Sequence, residues 1–291
     1  MKKFLTKIAA LALVVVSAFA FTACGGGKKT VDVTPNTIVV GYTDYAPMNY
    51  TKDNVFQGFD TELALMTFNA LGYDVKFTLI DWSNKYNELE SNAIDCVWNG
   101  FTMNSSDEID GVETERADIV DFTKPYMNNA QCIIRKSSTA EVTSLEQLAG
   151  KSVSYESGSA GASYITGVKE GEEGTEDDIN IQLIPMGSQM DAVREVNMGT
   201  ADYAVVDLNL AKSIAGEGNY ADITIDEGET VGDENSLKLP QEFYAVAFKK
   251  GSTLDEKVNI MFNAFAQTGQ LKALAEKYGV GDVVIEEGYL D

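Results

Sequence analysis

The chain contains no histidine. Histidine-based catalytic triads and His-ligated metal sites are therefore excluded. Basic residues are also scarce, with 22 Lys and Arg against 45 Asp and Glu, a formal net charge of −23. Nucleic-acid binders need a basic footprint, and a chain this acidic repels phosphates. Small anions are not excluded, because one local arginine outweighs the mean field at short range. The surplus acid reads as a solubility device. Long apolar runs are missing beyond the N-terminus, so no later segment is expected to span a bilayer. Cysteines number three. What remains is 291 residues with 44% hydrophobic content, a globular composition long enough for two domains.

The N-terminus reads as an export signal. Lys2, Lys3 and Lys7 precede the apolar run Ile8 to Phe21, which is too short for a comfortable span and closes on "FTACGGGKK". Ala23 followed by Cys24 resembles a bacterial lipobox, although Phe21 stands where leucine is usual. The expectation is a signal peptide over 1–23, acylation of Cys24, and a flexible tether over 24–36. The protein would then be held by its lipid at the outer face of the cytoplasmic membrane. Cys96 and Cys132 could pair, but Cys96 lies mid-strand as a small core residue, and the reading favours two buried thiols.

Beyond the tether, strands and helices alternate, which predicts a parallel α/β sheet. "NTIVVGYT" reads as a strand, and "GFDTELALMTFNALG" as a helix with Asp60 as N-cap and Gly72 as its end. "DVKFTLI" is a strand, "NKYNELES" a short helix, and "AIDCVW" a strand ending at Asn99-Gly100, a pair that usually turns. The pattern restarts at "KSVSYES". It continues through "INIQLIPM", a helix capped by Ser188 and stopped at Gly199, and the strand "ADYAVVD". The two halves look like two versions of one unit, not one continuous sheet. The strand "FYAVAFKKG" and two terminal helices then need an apolar surface, and their simplest home is the first half. This division gives one lobe over 37–130 with 243–291 and another over 131–242. The stretches Met127 to Ile133 and Pro240 to Val246 would be the hinge. Ligands in such sheets bind beyond the C-terminal strand ends.

"VGYTDYAPMNY", "GFDTELA", "AIDCVWNGFT", "ERADIVDFTKPY", "GKSVSYESGSA" and "ADYAVVD" occur in order, and together they resemble extracellular solute-binding protein family 3. These are the polar amino-acid-binding components of bacterial ABC importers. The resemblance implies a periplasmic-binding-protein-like type II α/β fold with two lobes and a two-crossover hinge. It implies a monomer that needs no cofactor or metal, binds no nucleic acid, catalyses nothing, and hands an amino acid to a permease and ATPase complex. It places Arg116 on the ligand carboxylate, where a guanidinium can fork with two parallel hydrogen bonds. Ser159 and Ala160 fall where a helix N-terminus donates amides to the same carboxylate. Asp207 takes the ammonium, or N-caps the helix that follows it. Gly100 and Thr102 supply a backbone carbonyl and a hydroxyl. Tyr45 and Trp82 match rings that sandwich the ligand side chain, while Trp98 packs beneath the site or touches the ligand. The acidic stretch "MNSSDEIDGVET" between Thr102 and Arg116 departs from the family spacing, as a cleft-mouth or permease-contact element or as a neutral surface loop.

Specificity is expected from Asp44, Asn99 and Glu156. Arg116 is the one basic residue among the matched positions, so an acidic ligand side chain would meet uncompensated carboxylates. A neutral polar or cationic amino acid, cystine included, is expected over glutamate or aspartate. Two other classes compete. The same fold hosts cyclohexadienyl- or arogenate-dehydratase-like enzymes, with Glu156 as a general acid. A sensor input domain is the third reading, weakened by the lack of an output segment.

Overall fold

The strand–helix alternation resolves into two copies of one arrangement in the computed structural model, which describes residues 36–170, 179–228, 239 and 241–290. The signal segment 1–23, Cys24, the tether up to residue 35, and Pro240 lie outside the described residues. The first copy runs β1 (Asn36–Tyr42), a hairpin of β2 (Tyr50–Lys52) and β3 (Val55–Gln57), α1 (Phe59–Ala70), β4 (Tyr73–Leu79), α2 (Lys85–Glu90) and β5 (Cys96–Thr102). A second hairpin, β6 (Ser106–Ile109) and β7 (Val112–Glu115), leads to α3 (Arg116–Ile119), β8 (Val120–Phe122) and the long β9 (Met127–Lys136). The second copy comprises β10 (Ser152–Glu156), α4 (Ala160–Glu170), β11 (Gln182–Met186), α5 (Gln189–Met198) and β12 (Tyr203–Asp207). After α6 (Leu208–Ile214) and β13 (Ile223–Asp226), the chain returns through β14 (Gln241–Lys249), α7 (Leu254–Gln267) and α8 (Gln270–Lys277).

Both copies place their first strand between the other two. β1 pairs in parallel with β4 and β5, and β10 pairs in parallel with β11 and β12. The third strands, β5 and β12, therefore occupy equivalent places and carry the tips Asn99–Thr102 and Asp207. The expectation of separate sheets is corrected, because the ladder runs unbroken as β11-β10-β12-β9-β14-β5-β1-β4. The reason is the length of β9. Its residues Met127–Ala130 pair with β14, and Gln131–Arg135 pair with β12. One strand thus satisfies backbone groups on both sides, as buried N–H and C=O groups require.

Two local expectations also change. Asp60 is not the N-cap of α1. Gly58 takes that position with φ 142°, and Asp60 sits inside the first turn with a wholly buried side chain. Nor does the chain turn at Asn99-Gly100. β5 continues to Thr102, but Val97 pairs with Ala247 and Phe101 with Ala245. Trp98, Asn99 and Gly100 therefore bulge opposite Val246 alone, which re-aims their backbone out of the ladder. Val246 instead exchanges both backbone bonds with Thr123, through its main-chain N–H and its side-chain oxygen.

Every residue of β5 is buried. Trp98 packs beneath the bulge, with ring centroids 5.7 Å from Phe68, 5.6 Å from Phe262 and 6.3 Å from Tyr126. The terminal helices close over α1, as the apolar face of α7 requires. Val258, Phe262 and Phe265 of α7 and Leu271 of α8 join Leu63 and Phe68 in one cluster. Cys96 and Cys132 are free, buried thiols. Phe262 contacts the Trp98, Tyr126 and Tyr289 rings with no exposure of its own. Phe262→Ala should lower unfolding free energy by about 3–5 kcal/mol in chemical denaturation.

Candidate functional site

The two strand tips and the start of α4 converge on one cavity. Its walls are Trp82, Asn99, Gly100, Thr102, Arg116, Glu156, Ser159, Ala160, Gln189 and Asp207. The cavity, counted with its mouth, has a volume of about 260 Å³. All the expected site residues except Tyr45 and Asp44 line it, and Gln189 is added. Tyr45 is buried behind Gly100, and its hydroxyl is hydrogen-bonded to that of Tyr244 at 2.6 Å. Asp44 is exposed and lies outside the lining, contrary to its expected specificity role.

Gly100 is where backbone meets cavity. Its φ is +57°, and a Cβ there would lie 2.6 Å from the Tyr45 ring. Only glycine tolerates both constraints. The Gly100 N–H donates to Asp60 Oδ2 at 2.7 Å, and the Tyr126 hydroxyl donates to the same oxygen at 2.9 Å. Burial pushes the Asp60 carboxyl up to about 7, against those bonds. Asn99 lines the cavity, but its amide is mostly used. Oδ1 accepts from the Thr43 N–H at 3.0 Å and from Asn49 Nδ2 at 2.9 Å, while Nδ2 donates to Thr43 Oγ1 at 2.7 Å. Its side chain holds the bulge, and one Nδ2 hydrogen remains for the cavity that it lines.

Arg116 is 1% exposed and hydrogen-bonded on several sides. Nε and Nη2 donate to Asp107 Oδ1 at 3.2 and 2.8 Å, Nη1 donates to the Thr102 carbonyl at 3.0 Å, and Nη2 reaches the Gly158 carbonyl at 3.4 Å. The fork expected for a ligand carboxylate is therefore taken by Asp107, from the acidic insertion. That insertion forms most of the β6–β7 hairpin. Lys85 lies beside it at 2% exposure, bonded to Gly158 O at 3.0 Å and paired with Asp107 Oδ2 at 3.1 Å. Burial, and then Arg116, pull the Lys85 ammonium down to about 8. A lysine opening a helix runs against the dipole, a sequence signal that could have singled it out.

The opposite wall is acidic. Asp207 occupies the N-cap position of α6 without capping it. Its carboxylate accepts from Gln131 Nε2 at 2.5 Å and Gln189 Nε2 at 2.8 Å, and the Gln189 carbonyl accepts the Asp207 N–H at 2.9 Å. Glu242, on β14, accepts from Thr102 Oγ1, Asn129 Nδ2 and Gln131 Nε2 at 3.0, 2.7 and 2.9 Å. The Thr102 hydroxyl thus donates its hydrogen bond to Glu242 and offers lone pairs, which suit an ammonium rather than a carboxylate. Glu156 is 3% exposed, and its Oε1 has no hydrogen-bond partner. Burial first, then Asp207, raise Glu156 to about 8, and burial and Asp207 raise Glu242 to about 7. At the cavity's end, Ser159 Oγ caps α4 by accepting the Ala162 N–H at 3.0 Å. The first amides of that helix have no intrahelical partner, which favours an anion there.

These raised carboxyls fix a sign. Folding raises Asp60, Glu156 and Glu242 above their ordinary values, so the folded protein binds more protons between about pH 4.5 and 8. Their contribution is fully present at the acid end of that window and is lost as pH rises through about 8. Lys85 acts in a separate window above about 8, where its lowered value makes stability rise with pH. The ligand-free melting temperature should fall from pH 5 to 8, and Glu156→Gln should flatten that slope in a scanning-calorimetry series.

Comparison with known proteins fits this geometry. The chain is 26% identical over 285 residues to an arginine-binding extracellular protein of Bacillus subtilis (strain 168), covering 97% of this chain and 100% of that one. An ancestral arginine-binding protein bound to arginine superposes with a TM-score of 0.69 at 27% identity, over 84% of this chain and 98% of that chain. A histidine-bound substrate-binding protein of an ABC uptake transporter from Streptococcus pneumoniae gives 0.70 at 26% identity, over 85% and 94%. The matching family and these relatives are solute binders, not enzymes, so the dehydratase reading is not favoured. With residues 38–281 matching the model of that family, the chain belongs to the bacterial extracellular solute-binding proteins, family 3.

Proposed function

We propose that this protein captures a polar L-amino acid between two lobes and delivers it to a membrane ABC permease and its ATPase. The lobes are 37–130 with 243–291, and 131–242, and β9 and β14 form the hinge between them. In this reading a monomer is exported and held at the outer face of the cytoplasmic membrane by a lipid on Cys24. The ligand carboxylate meets the N-terminus of α4 at Ser159 and Ala160 and the remaining Nη1 hydrogen of Arg116. The ammonium meets Asp207, the Thr102 oxygen and the Gly100 backbone. Trp82 walls the side chain.

The observation that carries the ligand class is the unpartnered Glu156 Oε1, buried in a wall that also holds Asp207. A buried carboxyl oxygen without a partner is costly, and a cationic group of the ligand would supply the hydrogen bond and draw Glu156 toward its charged form. Neutral polar ligands and cystine fit the cavity's hydrogen bonds. A cationic side chain fits its charge best, and relatives that bind arginine and histidine support this. Acidic side chains would add a further carboxylate to that wall.

A thermal-shift screen over the amino acids tests this, because a ligand bound only by the folded state raises the melting temperature. Arginine or lysine should give the largest shifts, and aspartate and glutamate none. Arg116→Ala and Asp207→Ala should abolish the shift. Glu156→Gln should weaken cationic ligands by about tenfold or more while sparing neutral ones. A large glutamate response without any from basic or neutral polar ligands refutes the reading.

A further inference from the structure

The β6–β7 hairpin lies where the family spacing is short, and one of its side chains is fully engaged at the site. Asp107 Oδ1 accepts two N–H groups of Arg116, and Oδ2 accepts the Tyr86 hydroxyl at 2.6 Å and pairs with Lys85 at 3.1 Å. These four contacts use the acceptor capacity of an ionised carboxylate. Arg116 lines the ligand cavity, whereas Asp107 and Lys85 line its neighbour with Gly158 and Ser163. Asp107 therefore stands behind Arg116 and leaves the cavity to it.

The same cluster crosses from the first copy of the fold to the second. One N–H of Lys85 and one of Arg116 meet on a single acceptor, the Gly158 carbonyl. Gly158 precedes α4 with φ +70°, and a Cβ there would lie 3.2 Å from Ser83 Cα, so the backbones touch closely. One turn further, Ser163 Oγ of α4 donates to the Ser106 carbonyl of the hairpin at 3.1 Å. Two buried cations this close repel one another, and Asp107 is the carboxylate that offsets both.

We propose that Asp107 is a positioning residue for ligand capture: it fixes the Arg116 guanidinium and, through Lys85 and the Gly158 carbonyl, clasps the cleft shut. This rests on the amino-acid reading above. The clasp exists only when both sides meet, so it governs how long the ligand stays rather than how fast it arrives.

Stopped-flow binding of the best ligand from the screen separates the two rates. Asp107→Asn should raise the dissociation rate about tenfold or more with little change in association, and Asp107→Glu should recover part of the loss. Lys85→Met should raise dissociation by a smaller factor, and it carries the test if Asp107→Asn does not fold. Unchanged dissociation in Asp107→Asn, or in Lys85→Met where that variant carries the test, overturns the inference and leaves the ligand reading standing. Tighter binding by Asp107→Asn overturns it too, because Asp107 would then be competing with the ligand carboxylate. A wild-type chain that responds to no amino acid sinks both.

Discussion

The hydrogen bond from the Gly100 N–H to Asp60 is the contact on which the site depends. β5 sets three residues against one on β14, and a bulge of that size needs its freed backbone groups satisfied. Asp60 takes one of them, and Asn49 takes the Trp98 carbonyl through its amide at 2.9 Å. The Asn49 carbonyl oxygen in turn accepts the Thr61 hydroxyl of α1 at 2.8 Å. Helix, bulge and strand are thus tied by side chains with no exposure to solvent. Trp98 and its aromatic neighbours set the bulge's height from below. Without the bulge, Asn99 and Gly100 would be spent on the β14 ladder, and the first copy would present no backbone to the cavity.

The electrostatics of the cavity follow from an unequal division of partners. Its two nearby cations, Arg116 and Lys85, are paired with Asp107, and Lys85 only partly offsets the burial and the Asp207 charge that raise Glu156. Those acids are hydrogen-bonded by amides, from Gln131, Gln189 and Asn129, which orient a carboxylate without cancelling its charge. Burial then drives their ionisation toward neutral pH. Among the described residues, the buried acids are Asp60, Glu156, Asp207, Asp226 and Glu242. The handful of acids inside the cavity wall is what a ligand meets.

Much of this was legible in the sequence, for physical reasons. Apolar periodicity marked β1, α1, α5, β12 and α7, and the parallel between "NELESNAIDCVWNG" and "AVREVNMGTADYAVVD" placed the two strand tips correctly. The misreadings share one cause: a polar residue at an element end has several uses that look alike in one dimension. Asp60 reads as a cap because acids favour the start of a helix, yet its side chain points into the core. Asn99 reads as a ligand contact alone because it is an amide at a strand tip, yet Thr43 and Asn49, more than forty residues upstream, take three of its four hydrogen-bonding positions. Asp107 sits in a run of acids that reads as solvated surface. Only the fold shows that the β6–β7 hairpin brings this one acid against two buried cations.

Gln131 shows why the hinge and the site are one construction. It is the residue at which β9 changes partner, from Gln241 facing Ala130 to Asp207 facing Gln131 itself. Its amide nitrogen donates to Asp207 on one side of that change and to Glu242 on the other. Under the proposed closure, rotation about β9 and β14 alters the separation of those two carboxylates. Like charges in a buried setting favour moving apart, and a cation placed beside Asp207 reverses the preference. An ammonium bound at Asp207 thus acts on the pivot directly. If Asp207 takes the ligand ammonium as proposed, no separate relay to the hinge is needed, because Asp207 and the strand at the change of partner are joined by the Gln131 amide.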